Sequence, residues 1–217
     1  MKLIRNYLKR SQRLVRLYQW TIGYDPRAKQ WCRVIMDQST EELVRKMDFG
    51  NLAVLEISGR KWENFGFRKY SNVFYPAFDI CRDITERKFD LIIAEQVFEH
   101  IRKQYQAGVN IYNMLNPGGY FLITTPFLIR IHPSPDDCTR WSKSGIRYFL
   151  EECGFKLNDI ESYSWGNRRC INANFVDWIP FNRKKHSLEN EENFPMVIWA
   201  FARKQKEVGR SDHLSKT

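Results

Sequence analysis

Asn51-Leu52-Ala53-Val54-Leu55-Glu56-Ile57-Ser58-Gly59-Arg60 is the stretch that decides the fold of this chain. Its apolar run, Leu52 to Ile57, contains no turn residue and predicts a strand covered on both faces. Glu56 stands near the end of that strand, and Ser58-Gly59 follow as a turn of small residues. Small side chains let the backbone pass close to a ligand, and the carboxylate is left at the strand's carboxyl edge, which is how a nucleotide-type cofactor site begins. A buried strand that simply ends in a turn has the same look, so the segments downstream decide between the two.

Lys88-Phe89-Asp90-Leu91-Ile92-Ile93-Ala94-Glu95-Gln96-Val97-Phe98-Glu99-His100 predicts a second apolar strand followed by polar residues and the start of a helix. Met114-Leu115-Asn116-Pro117-Gly118-Gly119-Tyr120-Phe121-Leu122-Ile123-Thr124-Thr125-Pro126 reads as a helix end, a Pro-Gly-Gly turn and a third strand. In this order and at these spacings, residues from about 50 to 160 resemble the class I S-adenosylmethionine-dependent methyltransferases, in particular their small, type 11-like members. Phe89 to His100 and Leu115 to Pro126 carry the most specific part of the resemblance.

The resemblance implies an α/β, three-layer Rossmann-like methyltransferase fold with a mostly parallel central sheet and an antiparallel last strand. It implies S-adenosyl-L-methionine as cofactor and methyl transfer as the activity. Cofactor-binding residues then fall at Glu56, Ser58, Gly59 and Arg60 in the first loop, at Asp79, which suits the acid after the family's third strand better than the one after its second, and at Glu95 and Gln96 just beyond the fourth strand of the family's order. Such proteins carry acid-x-Gly-x-Gly after the first strand, whereas here Ser58 and Arg60 stand at the glycine positions. Serine keeps the turn tight, and the Arg60 guanidinium can form paired bonds with the cofactor's carboxylate. About thirty residues separate the first strand from Phe89, too few for two complete βα units, so part of the usual pattern is trimmed. An acid that would hold the ribose is missing or replaced there, and Asp79 reads either as a cofactor ligand or as a cap or turn acid.

The expected elements are helices over 1–20, 27–47, 100–115 and 143–153, and strands over 52–58, 72–80, 89–95, 120–125, 155–163 and 195–203. Ser142 or Ser144 caps the helix over 143–153, Ile146, Phe149, Leu150 and Cys153 share one face of it, and Gly154 stands where it stops. The expected division is an amino-terminal helical segment 1–48 packing on the core, a methyltransferase-like domain 49–203, and a polar tail 204–217.

The 217 residues, 43% of them hydrophobic, suffice for one well-cored domain. The five cysteines make an odd set with no C-x-x-C pair, and the four histidines are scattered without metal-ligand spacing, so no metal is expected. Reduced thiols, the absence of a signal-peptide core and the absence of a run of ~20 apolar residues point to a cytoplasmic protein.

Of the net charge of +10, residues 1–33 supply +8, nine Lys or Arg against Asp25. The rest is nearly balanced, which argues against a nucleic-acid surface on the body of the domain. Leu3, Ile4, Tyr7, Leu8, Leu14, Val15 and Tyr18 recur at helical spacing among the cations and predict a basic amphipathic helix over residues 1–20. That helix packs on the sheet or lids the cofactor site, or it meets an anionic membrane surface or acidic partner, or RNA.

Substrate chemistry falls on the long loop Pro126 to Trp141, which gathers an imidazole, two carboxylates, a guanidinium and an indole behind a strand edge. A sulfonium methyl donor needs in-line positioning of the acceptor, with a base if the acceptor is a hydroxyl. His132 is the natural base, Asp136 or Asp137 orients it or binds a sugar hydroxyl, and Arg140 holds an acidic group or pairs with Asp136. Trp141, together with Trp165, Asn167 and Arg168 in the segment Ser164 to Phe175, supplies substrate-pocket candidates of the sort that stack on sugars and bond hydroxyls. Core packing is the competing role for the indoles. His100 belongs to the Glu-His pair usual for the family, whose role there is more often structural than catalytic.

The activity expected is therefore O-methylation of a small molecule or saccharide. A non-catalytic binding or scaffold protein on the same fold is the alternative, because of Ser58 and Arg60. An RNA methyltransferase fits less, since no Asn-Pro-Pro-Tyr or Asp-Pro-Pro-Tyr motif occurs, and a nicotinamide oxidoreductase is excluded by the lack of Gly-x-Gly-x-x-Gly.

Overall fold

In a computed structural model of the chain, the structure describes Thr21, residues 28–133 and residues 135–206. The helix expected over 1–20 and the tail beyond Lys206 lie outside the described residues. Strands β1 (Ala53–Ile57), β2 (Lys69–Val73), β3 (Phe89–Glu95), β4 (Leu115–Pro126), β5 (Ile160–Trp165) and β6 (Val197–Arg203) form one sheet in the order β2-β1-β3-β4-β6-β5. β1 pairs in parallel with β2 and β3, and β3 in parallel with β4. At the start of β4 the Gly118 amide donates to the Lys204 carbonyl at 2.9 Å and Lys204 N returns to Gly119 O at 2.8 Å, just past the end of β6. Ahead of β6, Met196 N donates to Trp165 O at the end of β5, at 2.9 Å. β6 is therefore antiparallel to both neighbours, as expected of the last strand.

Helices α1 (Val34–Arg45), α2 (Gln104–Met114), α3 (Lys143–Glu152) and α4 (Arg168–Asn174) accompany the sheet. Alternation along the strands sends side chains to two cores. Leu55, Ile57, Ile92, Ala94, Phe121 and Ile123 pack with Ile111 of α2 and with Ile146 and Phe149 of α3. Val54, Leu91, Ile93 and Leu122 pack on the other face with Val44 and Trp62. This double burial is why β1 reads as an unbroken apolar run, and why Glu56 within it is only 2% exposed.

Several boundaries differ from expectation for local reasons. β2 ends at Val73, where 72–80 was expected to be strand, because the chain enters a turn from Tyr75 onward. α1 starts at Val34, not residue 27, behind a 3-10 turn over Trp31–Arg33. α2 starts at Gln104, since Ile101 takes an extended conformation after the 3-10 turn Phe98–His100. β4 starts at Leu115, where a turn was expected to delay it to 120. The Pro-Gly-Gly residues are absorbed as a bulge between the pairs Phe89–Leu115 and Leu91–Tyr120. Gly118 has φ +82°, and a Cβ on Gly119 would lie 3.0 Å from the Phe89 carbonyl, so the bulge needs both glycines. Between β1 and β3 there is one strand and, among the described residues, no helix, which is the trimming inferred from the short interval.

The chain forms two compact units, Glu42–Phe127 with Ile131–Tyr163 and Ile198–Thr217, and Met1–Glu41 with Leu128–Arg130 and Ser164–Val197. Among the described residues no helix is long and apolar enough to cross a membrane.

Candidate functional site

At the carboxyl edge of β1 the backbone turns back on the Glu56 side chain. Glu56 Oε1 accepts from Lys61 N at 3.1 Å, and Oε2 accepts from Trp62 N at 3.1 Å and from the Tyr70 hydroxyl at 2.7 Å. Burial, and then the bond to Glu56, push the Tyr70 phenol well above its ordinary pKa, so it stays a donor. A Cβ on Gly59 would lie 2.1 Å from Glu56 Oε1, so the glycine is required by the loop's own carboxylate. Ser58, which stands where the resembling pattern has glycine, occupies the left-handed region at φ 58°, and its amide donates to Val73 O at 2.8 Å.

The next strand ends the same way. Gln96 follows β3 at φ 56°, its amide donating to Thr124 O at 2.9 Å and its side-chain amide to Thr124 Oγ1 at 3.1 Å. Lys61 Nζ meets Glu95 Oε1 at 2.9 Å and so ties the β1 loop to the end of β3. Arg60 stacks its guanidinium 5.6 Å from the Phe74 ring centroid, past the end of β2. Glu56, Ser58, Gly59, Arg60, Glu95 and Gln96 are thus gathered along adjoining strand ends.

Asp79 does not join them through its carboxylate. Its Oδ1 accepts from Cys81 N at 3.0 Å and its Oδ2 pairs with Arg82 Nε at 3.0 Å. The Cys81 amide bond leads in holding its pKa below the usual carboxylate range. This is a turn acid, the competing reading of Asp79. The residues directly after β2 are Phe74 and Tyr75, and no acid stands there.

The loop after β4 is organised by Asp137, not by Asp136. Asp137 forms a close ion pair with Arg140 and accepts from His132 N at 3.0 Å. Burial works against its ionisation, but Arg140 and the His132 amide prevail and hold its pKa below the ordinary value. Asp136 instead pairs with Arg102 at 2.8 Å, and its carbonyl accepts from His100 Nδ1 at 2.5 Å. The His132 and His100 rings meet edge to face, centroids 4.8 Å apart. His132 therefore sits beside a second imidazole, and one ligand atom of each ring lies within 4.8 Å of a Glu99 carboxylate oxygen. Spacing along the chain could not reveal this, because the two histidines are brought together only by the ends of β3 and β4.

Of the substrate candidates, Trp141 is 9% exposed and packs 4.7 Å from Phe149, which makes it core. Trp165 is buried and donates from Nε1 to Leu188 O at 2.9 Å. Asn167 caps α4, accepting from Cys170 N at 2.8 Å and donating to Glu189 O at 3.0 Å. Arg168 pairs with Glu191 at 2.7 Å. The last three hold the second unit together by their side chains.

Sequence reading missed Asp90. Its Oδ2 accepts from Ala53 N and its Oδ1 from Asn116 Nδ2, at 2.8 and 2.7 Å, which pins the starts of β1, β3 and β4 to one another. An acid opening an otherwise apolar strand was the available signal.

Residues 12–157, more than half of the chain, match the family model described as a methyltransferase domain. A Mycolicibacterium smegmatis protein named "Probable S-adenosylmethionine-dependent methyltransferase" is 28% identical over 97 residues, 39% of this chain and 38% of its own length. This chain therefore spans about two fifths of that relative. Phosphoethanolamine N-methyltransferase 2 of Haemonchus contortus, solved with S-adenosyl-L-methionine, superposes with a TM-score of 0.51 at 16% identity, over 93% of this chain and 60% of that one. An S-adenosylmethionine-dependent methyltransferase from Archaeoglobus fulgidus gives a TM-score of 0.50 at 12% identity, over 87% and 98%. By its sequence match and by its sheet order with an antiparallel last strand, the chain belongs to the methyltransferase domain family, on the fold of the class I S-adenosylmethionine-dependent enzymes.

Proposed function

We propose that this chain transfers the methyl group of S-adenosyl-L-methionine to an oxygen of a small molecule or saccharide. The observation that carries the reading is the pair of left-handed turns at Ser58 and Gln96, which close β1 and β3 side by side and bend the backbone over the sheet's carboxyl edge. Ligands of open α/β sheets gather there.

The residues present fit the cofactor in part. The Arg60 guanidinium, one turn beyond Glu56, suits the amino-acid carboxylate, and the amides of the Ser58-Gly59 turn add donors. Glu95 and Gln96 suit the methionine ammonium. Past β2, Phe74, 39% exposed, and Tyr75, 73% exposed, offer aromatic faces where an acid for the ribose hydroxyls would otherwise stand. The cofactor supplies an electrophilic methyl on a sulfonium when bound. This chain's residues position the acceptor and deal with its proton: the His132 imidazole stands in the base's place, and Asp137 with Arg140 fixes the loop that carries it. Asp136, through its carbonyl, orients His100 behind His132.

Phosphoethanolamine is the substrate class named for the Haemonchus contortus neighbour, an amine acceptor. An imidazole base favours a hydroxyl, since a neutral amine attacks without prior deprotonation. Residues 1–20, with their alternating apolar and cationic side chains, would add contact with an anionic membrane surface or acidic partner. Five free cysteines support a reducing, cytoplasmic setting.

Methyl transfer is tested by incubating the full chain with donor labelled in the methyl group and a fractionated small-molecule extract. Label appearing in an alkali-stable ether of a hydroxylated compound supports the reading. Binding of S-adenosylhomocysteine with no transfer to any fraction would leave the binding or scaffold role in its place.

A further inference from the structure

We propose that Glu99, His100 and His132 form a binding site for one divalent transition-metal ion. One ligand atom from each residue lies within 4.8 Å of the others. His100 Nε2 is 3.8 Å from Glu99 Oε1, and the two imidazoles stand edge to face at 80°. Tetrahedral ligands at about 2.0–2.1 Å from an ion lie roughly 3.3 Å from one another. From separations of at most 4.8 Å the groups need to close by up to about 1.5 Å to reach that distance, a movement side-chain torsions accommodate.

The orientation of His100 is an independent sign. Its Nδ1 lies 2.5 Å from the Asp136 carbonyl, which can only accept, so Nδ1 carries a proton and Nε2, 3.8 Å from Glu99 Oε1, is the ring nitrogen left for an ion. Metal-ligating histidines are held in this way, with the second ring nitrogen donating to a carbonyl or carboxylate. The loop that brings His132 across is fastened to the same place. Cys138 N donates to Glu99 O at 2.7 Å, Arg102 pairs with Asp136 at 2.8 Å, and Asp137 accepts from His132 N at 3.0 Å. Glu99 is fully buried at 0% exposure, while the side chain of His100 keeps 17%. A cation bonded to a carboxylate that has left water offsets the cost of burying its charge.

Two imidazoles and one carboxylate select zinc, manganese, iron(II) or cobalt(II) over magnesium or calcium, which prefer oxygen alone. Three protein ligands leave coordination positions open, the mark of a site that takes an exogenous oxygen and makes it more acidic. Resting on the methyl-transfer reading, such an ion would hold the acceptor's oxygen and make its proton easier to remove.

The full chain, stripped with a chelator, is dialysed to equilibrium against buffered Zn²⁺ and, separately, Mn²⁺, and bound metal is counted by mass spectrometry. One ion per chain is expected for at least one of the two metals, with affinity lowered at least tenfold in His132→Ala and in His100→Ala, and with a metal-dependent rise in melting temperature that both variants lose. Wild-type protein that binds neither metal at one equivalent overturns the proposal, as does undiminished affinity in the His100→Ala/His132→Ala double variant. Circular dichroism of the metal-free variants shows that they are folded. Should His100→Ala not fold, His132→Ala on the loop carries the test by itself. No methyl donor is present, so the result is separate from that of the transfer assay.

Discussion

Replacing Gly59 by Ala strikes the point where the first strand, its turn and its carboxylate meet. The new Cβ would lie 2.1 Å from Glu56 Oε1 and 2.9 Å from its Cδ. The tip of a side chain would ordinarily swing aside, but this one is buried and held by Lys61 N, Trp62 N and the Tyr70 hydroxyl. A hydrogen bond to a charged group contributes about 1.5–3 kcal/mol. Displacing the carboxylate far enough to lose one or two of them should cost about 2–5 kcal/mol. For a chain of this length that is a drop in melting temperature of roughly 5–15 °C. Thermal unfolding followed by circular dichroism measures it, and Tyr70→Phe, which removes one of the three bonds and adds no clash, should lose about 1–3 kcal/mol. A Gly59→Ala protein that melts with wild type would refute the claim that Glu56 is the fixed centre of this loop.

Other outcomes follow from the same geometry. Ser58→Gly relieves a left-handed serine and should stabilise by about 1 kcal/mol, read as a higher denaturation midpoint at unchanged slope. Gly166→Ala would place a Cβ 2.2 Å from Phe194 O and 2.3 Å from Met196 N, backbone atoms that cannot swing away, and should destabilise by about 3 kcal/mol or more, measured in urea. Asp137→Asn removes a carboxylate whose folded pKa lies below its unfolded value. The stability it contributes is present above about pH 4 and is lost as the pH falls below that. The gap in melting temperature between wild type and the variant should therefore be full at pH 7 and shrink as the pH is lowered from 4 to 2, and a gap independent of pH would count against the Asp137 ion pair. His132→Ala should lower methyl transfer by ~10²-fold or more, and an unchanged rate would remove it from the site.

What could be read along the chain was whatever a strand or a short turn writes locally. The apolar runs of β1 and β3, the Ser142 cap of α3 and the Gly154 stop are contiguous signals, and the structure keeps them, Ser142 Oγ accepting from Gly145 N at 3.1 Å. The missing βα unit was legible as a length. The bulge at Asn116-Pro117-Gly118-Gly119 was not, since a glycine turn and a glycine bulge have the same composition and only the pairing partner Phe89 tells them apart. The tryptophans allow two readings for a related reason: an indole stacked on sugar and an indole filling a core look alike along the chain, and only the structure sets Trp141 against Phe149. Which of Asp136 and Asp137 serves the His132 loop is decided by their partners, Arg102 for Asp136 and Arg140 for Asp137, and spacing along the chain does not show those. The meeting of His100 with His132 is tertiary, and no spacing rule for metal ligands covers residues joined by neighbouring strand ends.

The most direct test of the account is calorimetric titration of the full chain with S-adenosylhomocysteine, with Arg60→Ala beside wild type. Saturable binding of one ligand per chain, weakened in the variant, is the predicted result. The absence of heat and of any thermal shift at about 1 mM ligand, an affinity weaker than about −4 kcal/mol, would contradict the assignment of a cofactor site to the ends of β1 and β3.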